Sequence, residues 1–176
     1  MSRLPAPVRL LRPQQWAKNL FVFAPLLFSG RFRDWSEVLA AAVAFALFCL
    51  ASSVVYVLND LLDIEADRAH PIKKFKRPLA AGQISVSAGW WILSGLATTV
   101  LFGLISFQSL VLPVGAYLCI NLAYNLGLRA LPVIDLVVIS AGFVARVWAG
   151  AAVIDAPRTQ IARSGVILRA PSGGCG

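Results

Sequence analysis

Five apolar runs, residues 20–29, 38–58, 84–107, 110–128 and 133–154, dominate this chain. All but the first approach the ~20 residues that carry an α-helix across the hydrocarbon of a bilayer. A hydrocarbon interior leaves no water for backbone N–H and C=O groups, so runs of this length satisfy their backbones internally, as helices. The shorter first run reaches across by tilting, by extending toward Trp16 or by re-entering. With 59% hydrophobic and 14% charged residues and a mean hydropathy of +0.76, the chain lies outside the range of soluble domains. The expected fold class is all-α, a polytopic membrane helix bundle of about five transmembrane helices. Residues 1–155 read as one transmembrane unit. Residues 156–176, with Arg158, Arg163 and Arg169, four glycines, two prolines and no acid, read as a disordered tail.

The formal net charge of +8 does not describe a nucleic-acid surface, because the basic residues are not interleaved with aromatics on a soluble face. They collect in loops. Arg3, Arg9, Arg12 and Lys18 precede the first run, Arg68, Lys73, Lys74, Lys76 and Arg77 lie between the second and third, and Arg129 follows the fourth. Alternating spans put all of these on one side, which the positive-inside rule makes cytoplasmic, and leave Arg31 and Arg33 opposite. The N-terminus is then cytoplasmic, and the start of the chain lacks the layout of a cleaved signal. Cys49, Cys119 and Cys175 are too scattered for a metal site or a disulfide framework.

Four of the eight acidic residues, Asp60, Asp63, Glu65 and Asp67, fall within one short stretch at the end of the second run. On a helix, Asp60, Asp63 and Asp67 stand at i, i+3 and i+7 and share a face. Like charges at those spacings cost about 0.2–0.5 kcal/mol per pair, and acids near a helix C-terminus oppose its dipole. One reading is a solvated helix end that marks the membrane boundary. The other is a cation site, for which magnesium is the natural guest: it takes one or two carboxylates and completes its shell with water and phosphate oxygens.

The basic run from Arg68 to Arg77 serves as a topological anchor or, at Arg77, as a bidentate phosphate donor. His70 is a loop histidine or a polar site residue, though imidazole prefers softer metals than magnesium. Lys18 is a snorkelling boundary lysine or a ligand contact. Arg146 falls about 20 Å along a helix begun at Pro132, so it must face the bundle interior, pairing with an acid or reaching a ligand. Tyr124, Asn125, Arg129 and Asp135 lie on the same side of the membrane as the acidic cluster; Asp135 also suits a helix start.

Asn59, Asp60, Asp63 and Asp67 form the pattern Asn-Asp-x-x-Asp-x-x-x-Asp, which resembles the first aspartate-rich motif of the UbiA superfamily of intramembrane prenyltransferases. Leu11-Arg12-Pro13-Gln14-Gln15-Trp16-Ala17-Lys18-Asn19, Val22-Phe23-Ala24-Pro25, Asp67-Arg68-Ala69-His70-Pro71 and Arg77-Pro78-Leu79-Ala80-Ala81-Gly82 are similar to its decaprenyl-phosphate phosphoribosyltransferase branch. So is the segment from Tyr124 through Asp135 to Arg146-Val147-Trp148-Ala149-Gly150. The resemblance implies a helical bundle in a bacterial plasma membrane, with an active site facing the cytoplasm. It implies Mg2+-dependent transfer of a 5-phosphoribosyl group from phosphoribosyl diphosphate to a polyprenyl phosphate. A prenyl diphosphate with an aromatic acceptor is the alternative within the fold, and an inactive relative is the alternative outside catalysis. By position, Asp60, Asp63 and Asp67 are implied as magnesium ligands with Asn59 beside them, and Lys18 and Arg77 as phosphate contacts. Tyr124 and Asp135 are implied as cavity residues, and Arg129 stands where lysine is more usual. The family continues through further helices with a second aspartate-rich motif, and a frameshift or early stop after Ile154 is the expectation that would account for the change in character there.

Overall fold

A computed structural model describes residues 4–126 and 132–154. The short α1 (Ala6–Leu10) leads into a 3-10 helix, Pro13–Phe23, which runs directly into α2 (Ala24–Phe28). This is how the first apolar run gains length. A 3-10 helix rises about 2.0 Å per residue against 1.5 Å for an α-helix, so the 3-10 helix and α2 together cover roughly 30 Å with fewer residues than an α-helix needs. Its threefold winding also eclipses residues three apart, and Trp16, Asn19 and Val22 line up on one face, of which Asn19 and Val22 are fully buried.

Asp34 starts α3 (Trp35–Leu62), its carboxylate accepting from the Ser36 backbone N–H at 3.0 Å and the Ser36 hydroxyl at 2.7 Å. At about 42 Å, α3 is longer than the ~30 Å hydrocarbon layer, so an end carrying polar residues projects to the interface. It stops at Asp63, and α4 (Ile64–Ala69) begins immediately after. The single helix face expected for the aspartates is therefore broken, and Glu65 and Asp67 fall in the first turn of a new helix, where acids suit the dipole. A loop with the one-turn α5 (Lys73–Lys76) leads through Gly82, at φ 69°, to α6 (Val86–Ser106). A 3-10 turn precedes α7 (Val111–Leu126), and α8 (Pro132–Ile154) closes the described chain.

Helix α3 is the axis of the bundle, packed by α6, α7, α8 and the 3-10 helix. Its alanines Ala40, Ala41, Ala44 and Ala51 are buried, and small residues of this kind let neighbouring backbones approach closely. Phe48, Val55, Leu110, Val114, Tyr117, Ala145 and Ala149 complete that core. A second cluster, Leu10, Val57, Leu61, Leu79 and Ile84, lies at the aspartate-bearing end. Among the described residues, α3, α6 and Ile134–Ile154 of α8 are long and apolar enough to cross a membrane. Trp91, Leu101, Phe102 and Ile105 on α6 and Leu136, Val137 and Val144 on α8 are exposed. Lipid accepts such side chains where water would not. The fold is the expected all-α membrane bundle, and the protein is an integral membrane protein.

Arg31 donates to the Ile154 carbonyl at 3.2 Å, which ties the end of α8 to the short loop before α3. The start of α8 therefore lies at the same end as the close of α3, and Asp135 shares that end with Asp60. Arg129 and the tail, 156–176, lie outside the described residues.

Candidate functional site

Asp60 and Asp67 are each only 2% exposed. Burying a carboxylate costs several kcal/mol unless it is paired, and here both are paired through one side chain. Arg77 Nη1 lies 3.2 Å from Asp60 Oδ1 and hydrogen-bonds Asp67 Oδ2. On the far side of Asp60, Arg12 Nη2 donates to the same Oδ1 at 2.6 Å, and Lys73 Nζ stands 4.0 Å from Asp67 Oδ1. Two carboxylates are thus enclosed by three cations, Arg12 from the start of the chain and Lys73 and Arg77 from the basic loop.

The backbone at Arg12 is bent to serve this contact. Arg12 adopts φ 52°, ψ 58°, a left-handed conformation that costs a non-glycine residue about 1–2 kcal/mol. The following Pro13 disfavours the right-handed helical alternative. So held, the Arg12 guanidinium lies 5.0 Å from the centroid of the Tyr56 ring, one helical turn before Asp60. Arg9 donates to the Lys76 carbonyl and to Gln83 Oε1, each at 3.2 Å, and pins the basic loop against α1.

Asp63 is half-buried at the junction of α3 and α4, and Asn59, its carbonyl accepting from the Asp63 N–H at 2.9 Å, sits in the last turn of α3. Among the described residues no three His, Cys, Asp or Glu side chains gather as a metal site, and the ion pairs with Arg77 join Asp60 to Asp67. Two oxygen-bearing carboxylates that reach one common cation fit magnesium in kind and number. His70 Nδ1 accepts from the Ile72 and Lys73 backbone N–H groups at 3.2 and 3.3 Å, which shapes the loop. Tyr124 donates to Asp135 Oδ1 at 2.6 Å, joining α7 to α8.

Arg146 is 6% exposed. Its Nε donates to Asn19 Oδ1 at 2.7 Å and its Nη1 to the Gly142 carbonyl at 2.6 Å. The rings of Tyr117, Phe143 and Phe48 lie 5.0, 5.7 and 6.0 Å from the guanidinium carbon. Of the two roles expected for it, pairing with an acid is not the one adopted among the described residues. Asn19 is oriented in turn by α3, its Nδ2 donating to Ser52 Oγ and Cys49 Sγ at 3.3 Å. Trp16 Nε1 donates to Ser53 Oγ at 3.1 Å. Lys18, Tyr56, Asn121 and Arg146 line a cavity of about 100 Å3 together with Tyr117, Gly142 and Phe143. Lys18 thus belongs with Arg146, while Arg77 belongs with the aspartates, and Tyr56 is common to both places.

Arg12, Tyr56, Lys73 and Asn19 were not among the expected site residues. The signals for them were modest: Tyr56 shares a helix face with Asp60 at i, i+4, and Asn19 is a polar residue at the edge of an apolar run.

Residues 20–167 match the UbiA prenyltransferase family. The chain is 40% identical over 167 residues to the Decaprenyl-phosphate phosphoribosyltransferase of Mycolicibacterium smegmatis, covering 87% of this chain and 49% of that protein. It is 36% identical to the protein of the same name from Corynebacterium glutamicum, covering 81% and 44%. With the Nodulation protein NoeC of Azorhizobium caulinodans the identity is 35%, covering 83% and 47%. The chain therefore spans about half the length of the curated relatives it matches. A family match across most of the residues, on a helical membrane bundle that gathers the motif's Asp60 and Asp67, leaves one conclusion: the chain belongs to the UbiA prenyltransferase family.

Proposed function

We propose that this chain provides the diphosphate-binding part of a membrane transferase that moves a 5-phosphoribosyl group from phosphoribosyl diphosphate to a polyprenyl phosphate such as decaprenyl phosphate. The observation that carries the reading is the shared guanidinium of Arg77 between Asp60 and Asp67. A diphosphate presents the same kind of paired anionic oxygens to arginine that a carboxylate does. Arg77 and Arg12 can exchange carboxylate oxygens for phosphate oxygens, and Lys73 adds a point charge at the rim. Asp60 and Asp67 would then hold Mg2+, which when bound supplies charge neutralisation for the departing diphosphate. Asp63 and Asn59 support the turn that carries them.

The acceptor phosphate oxygen is already anionic at neutral pH, so the site needs no strong base. It bonds to the anomeric carbon of the ribosyl group as the bond to the diphosphate oxygen breaks, and the electron pair leaves with the diphosphate. Tyr124 and Asp135, hydrogen-bonded to each other, form a polar wall at the same end of the bundle. By the charge bias of the loops this end faces the cytoplasm across a bacterial plasma membrane. The names of the mycobacterial and corynebacterial relatives support the choice of substrates.

Membranes carrying the protein, given polyprenyl phosphate, are expected to take label from phosphoribosyl diphosphate into lipid in a reaction abolished by EDTA. Incorporation only from a labelled prenyl diphosphate into an aromatic acceptor would overturn the reading.

A further inference from the structure

Residues 71–76, which lead into Arg77, are all exposed, so burial of the loop does not fix where that guanidinium sits. A segment without packed side chains opens locally at little cost. The N-terminal stretch from Ala6 to Arg12 supplies what the loop lacks. Arg9 Nη2 donates to the Lys76 carbonyl just before Arg77, and its Nη1 to Gln83 Oε1 beyond it, each at 3.2 Å. Two nitrogens of one planar group therefore grip the chain on either side of Arg77, which a lysine could not do. Leu10 is fully buried with Val57 and Leu61 of α3 and Leu79 and Ile84 of the turn after the loop. The Leu11 carbonyl accepts from Ser53 Oγ at 3.1 Å, and Arg12 donates to Asp60. Four consecutive residues thus fasten in turn on the loop, the second core cluster, α3 and an aspartate.

We infer that Ala6–Arg12 is a strap that holds the basic loop against the aspartates, and that Arg9 is a positioning residue for Arg77 which sets the affinity for the donor diphosphate. This rests on the proposed reaction, in which Arg77 meets that diphosphate. Arg9 acts through Arg77, since its own guanidinium is committed to a carbonyl and an amide oxygen. A misplacement of about 1 Å is enough to spoil a bidentate contact, so loosening the strap falls on donor binding.

The test pairs hydrogen exchange with donor binding, both on the purified protein in detergent micelles. Arg9→Ala is expected to speed exchange about tenfold at the Arg77, Ala81 and Gln83 amides, which bond within the loop and its turn, while amides in the middle of α8 keep the wild-type rate. The Kd for labelled phosphoribosyl diphosphate should rise about tenfold, as the loss of two hydrogen bonds from one charged group allows. Arg9→Lys keeps the charge but reaches one acceptor at a time, and should fall between wild type and Arg9→Ala in both measurements. In an Arg77→Lys background, which lacks the fork that Arg9 aims, Arg9→Ala should change the Kd by less than about twofold. The inference is overturned if Arg9→Ala leaves exchange in the loop at the wild-type rate. Donor binding by Arg9→Lys equal to wild type would reduce Arg9 to a diffuse charge, and an undiminished loss in the Arg77→Lys background would show that it does not act through Arg77; either result overturns the positioning role. Failure of wild type to bind phosphoribosyl diphosphate, with loop exchange still dependent on Arg9, would overturn the proposed reaction and leave the strap standing.

Discussion

Arg77 is the side chain whose loss Asp60 and Asp67 would feel together, since both buried carboxylates reach it. Arg77→Ala leaves Asp67 with only Lys73 at 4.0 Å, and breaking a buried pair from one side costs about 3 kcal/mol or more. Chemical denaturation of the purified protein in mixed micelles should show that loss. Arg77→Lys should restore most of the stability, since a single nitrogen, Nη1, makes both carboxylate contacts, but little of the transfer rate, because an ammonium lacks the planar paired donors that engage a diphosphate bidentately. The aspartates divide as well. Asp60→Asn and Asp67→Asn should each lower transfer by about 100-fold or more, as removal of a single electrostatic stabiliser commonly does. Asp63→Asn should cost less than tenfold, and equal losses at all three positions in a steady-state assay would contradict the separation of Asp63 from the pair. Charged residues in an apolar chain were conspicuous, so Asp60, Asp67, Arg77 and Arg146 were legible from sequence. Arg12 was visible only as a loop charge, because its role depends on a left-handed backbone that no pattern announces.

The helices themselves were legible where hydrophobic length sufficed, as in α3, α6 and α8, each within a few residues of its apolar run. The first run resisted because its 3-10 winding carries a period of three, which the 3.6-residue period of an α-helix does not match. The 3-10 winding of Pro13–Phe23 aligns Trp16, Asn19 and Val22, and a consequence of that alignment is a close backbone approach to α8. At Gly150 a Cβ would run into the Val22 carbonyl oxygen, an unyielding neighbour. Gly150→Ala should therefore lower stability by about 1–3 kcal/mol and disturb Arg146 one turn earlier. Gly95 on α6 is the control: a Cβ there meets nothing within 4 Å, so Gly95→Ala should be neutral or stabilising by about 0.5–1 kcal/mol through helix propensity. Parallel denaturation of the two variants separates close packing from any general intolerance of added methyl groups. The break at Asp63 was likewise hidden, because an i, i+3, i+7 pattern reads the same whether one helix continues or a second restarts.

Across the whole molecule, sidedness is what makes a site out of scattered residues. The hydrogen bond from Arg31 to the end of α8 places the α8 start, with Asp135, at the end where α3 delivers Asp60, and alternating helices bring the basic loop of Lys73, Lys74 and Lys76 to that same end. The orientation proposed above puts that end in the cytoplasm, since several lysines and arginines resist translocation more than the two at Arg31 and Arg33. Phe75 and Phe32, 71% and 51% exposed, report the two ends without altering any charge. In a chain whose cysteines are replaced by serine, Phe75→Cys should react with a membrane-impermeant maleimide only after the cytoplasmic face is opened, as in inverted vesicles. Phe32→Cys should react in intact cells whose outer barrier is permeabilised. The reverse pattern would put Asp60, Asp67 and Arg77 on the external face, away from a cytoplasmic pool of phosphoribosyl diphosphate, and with it the proposed reaction would lose its donor.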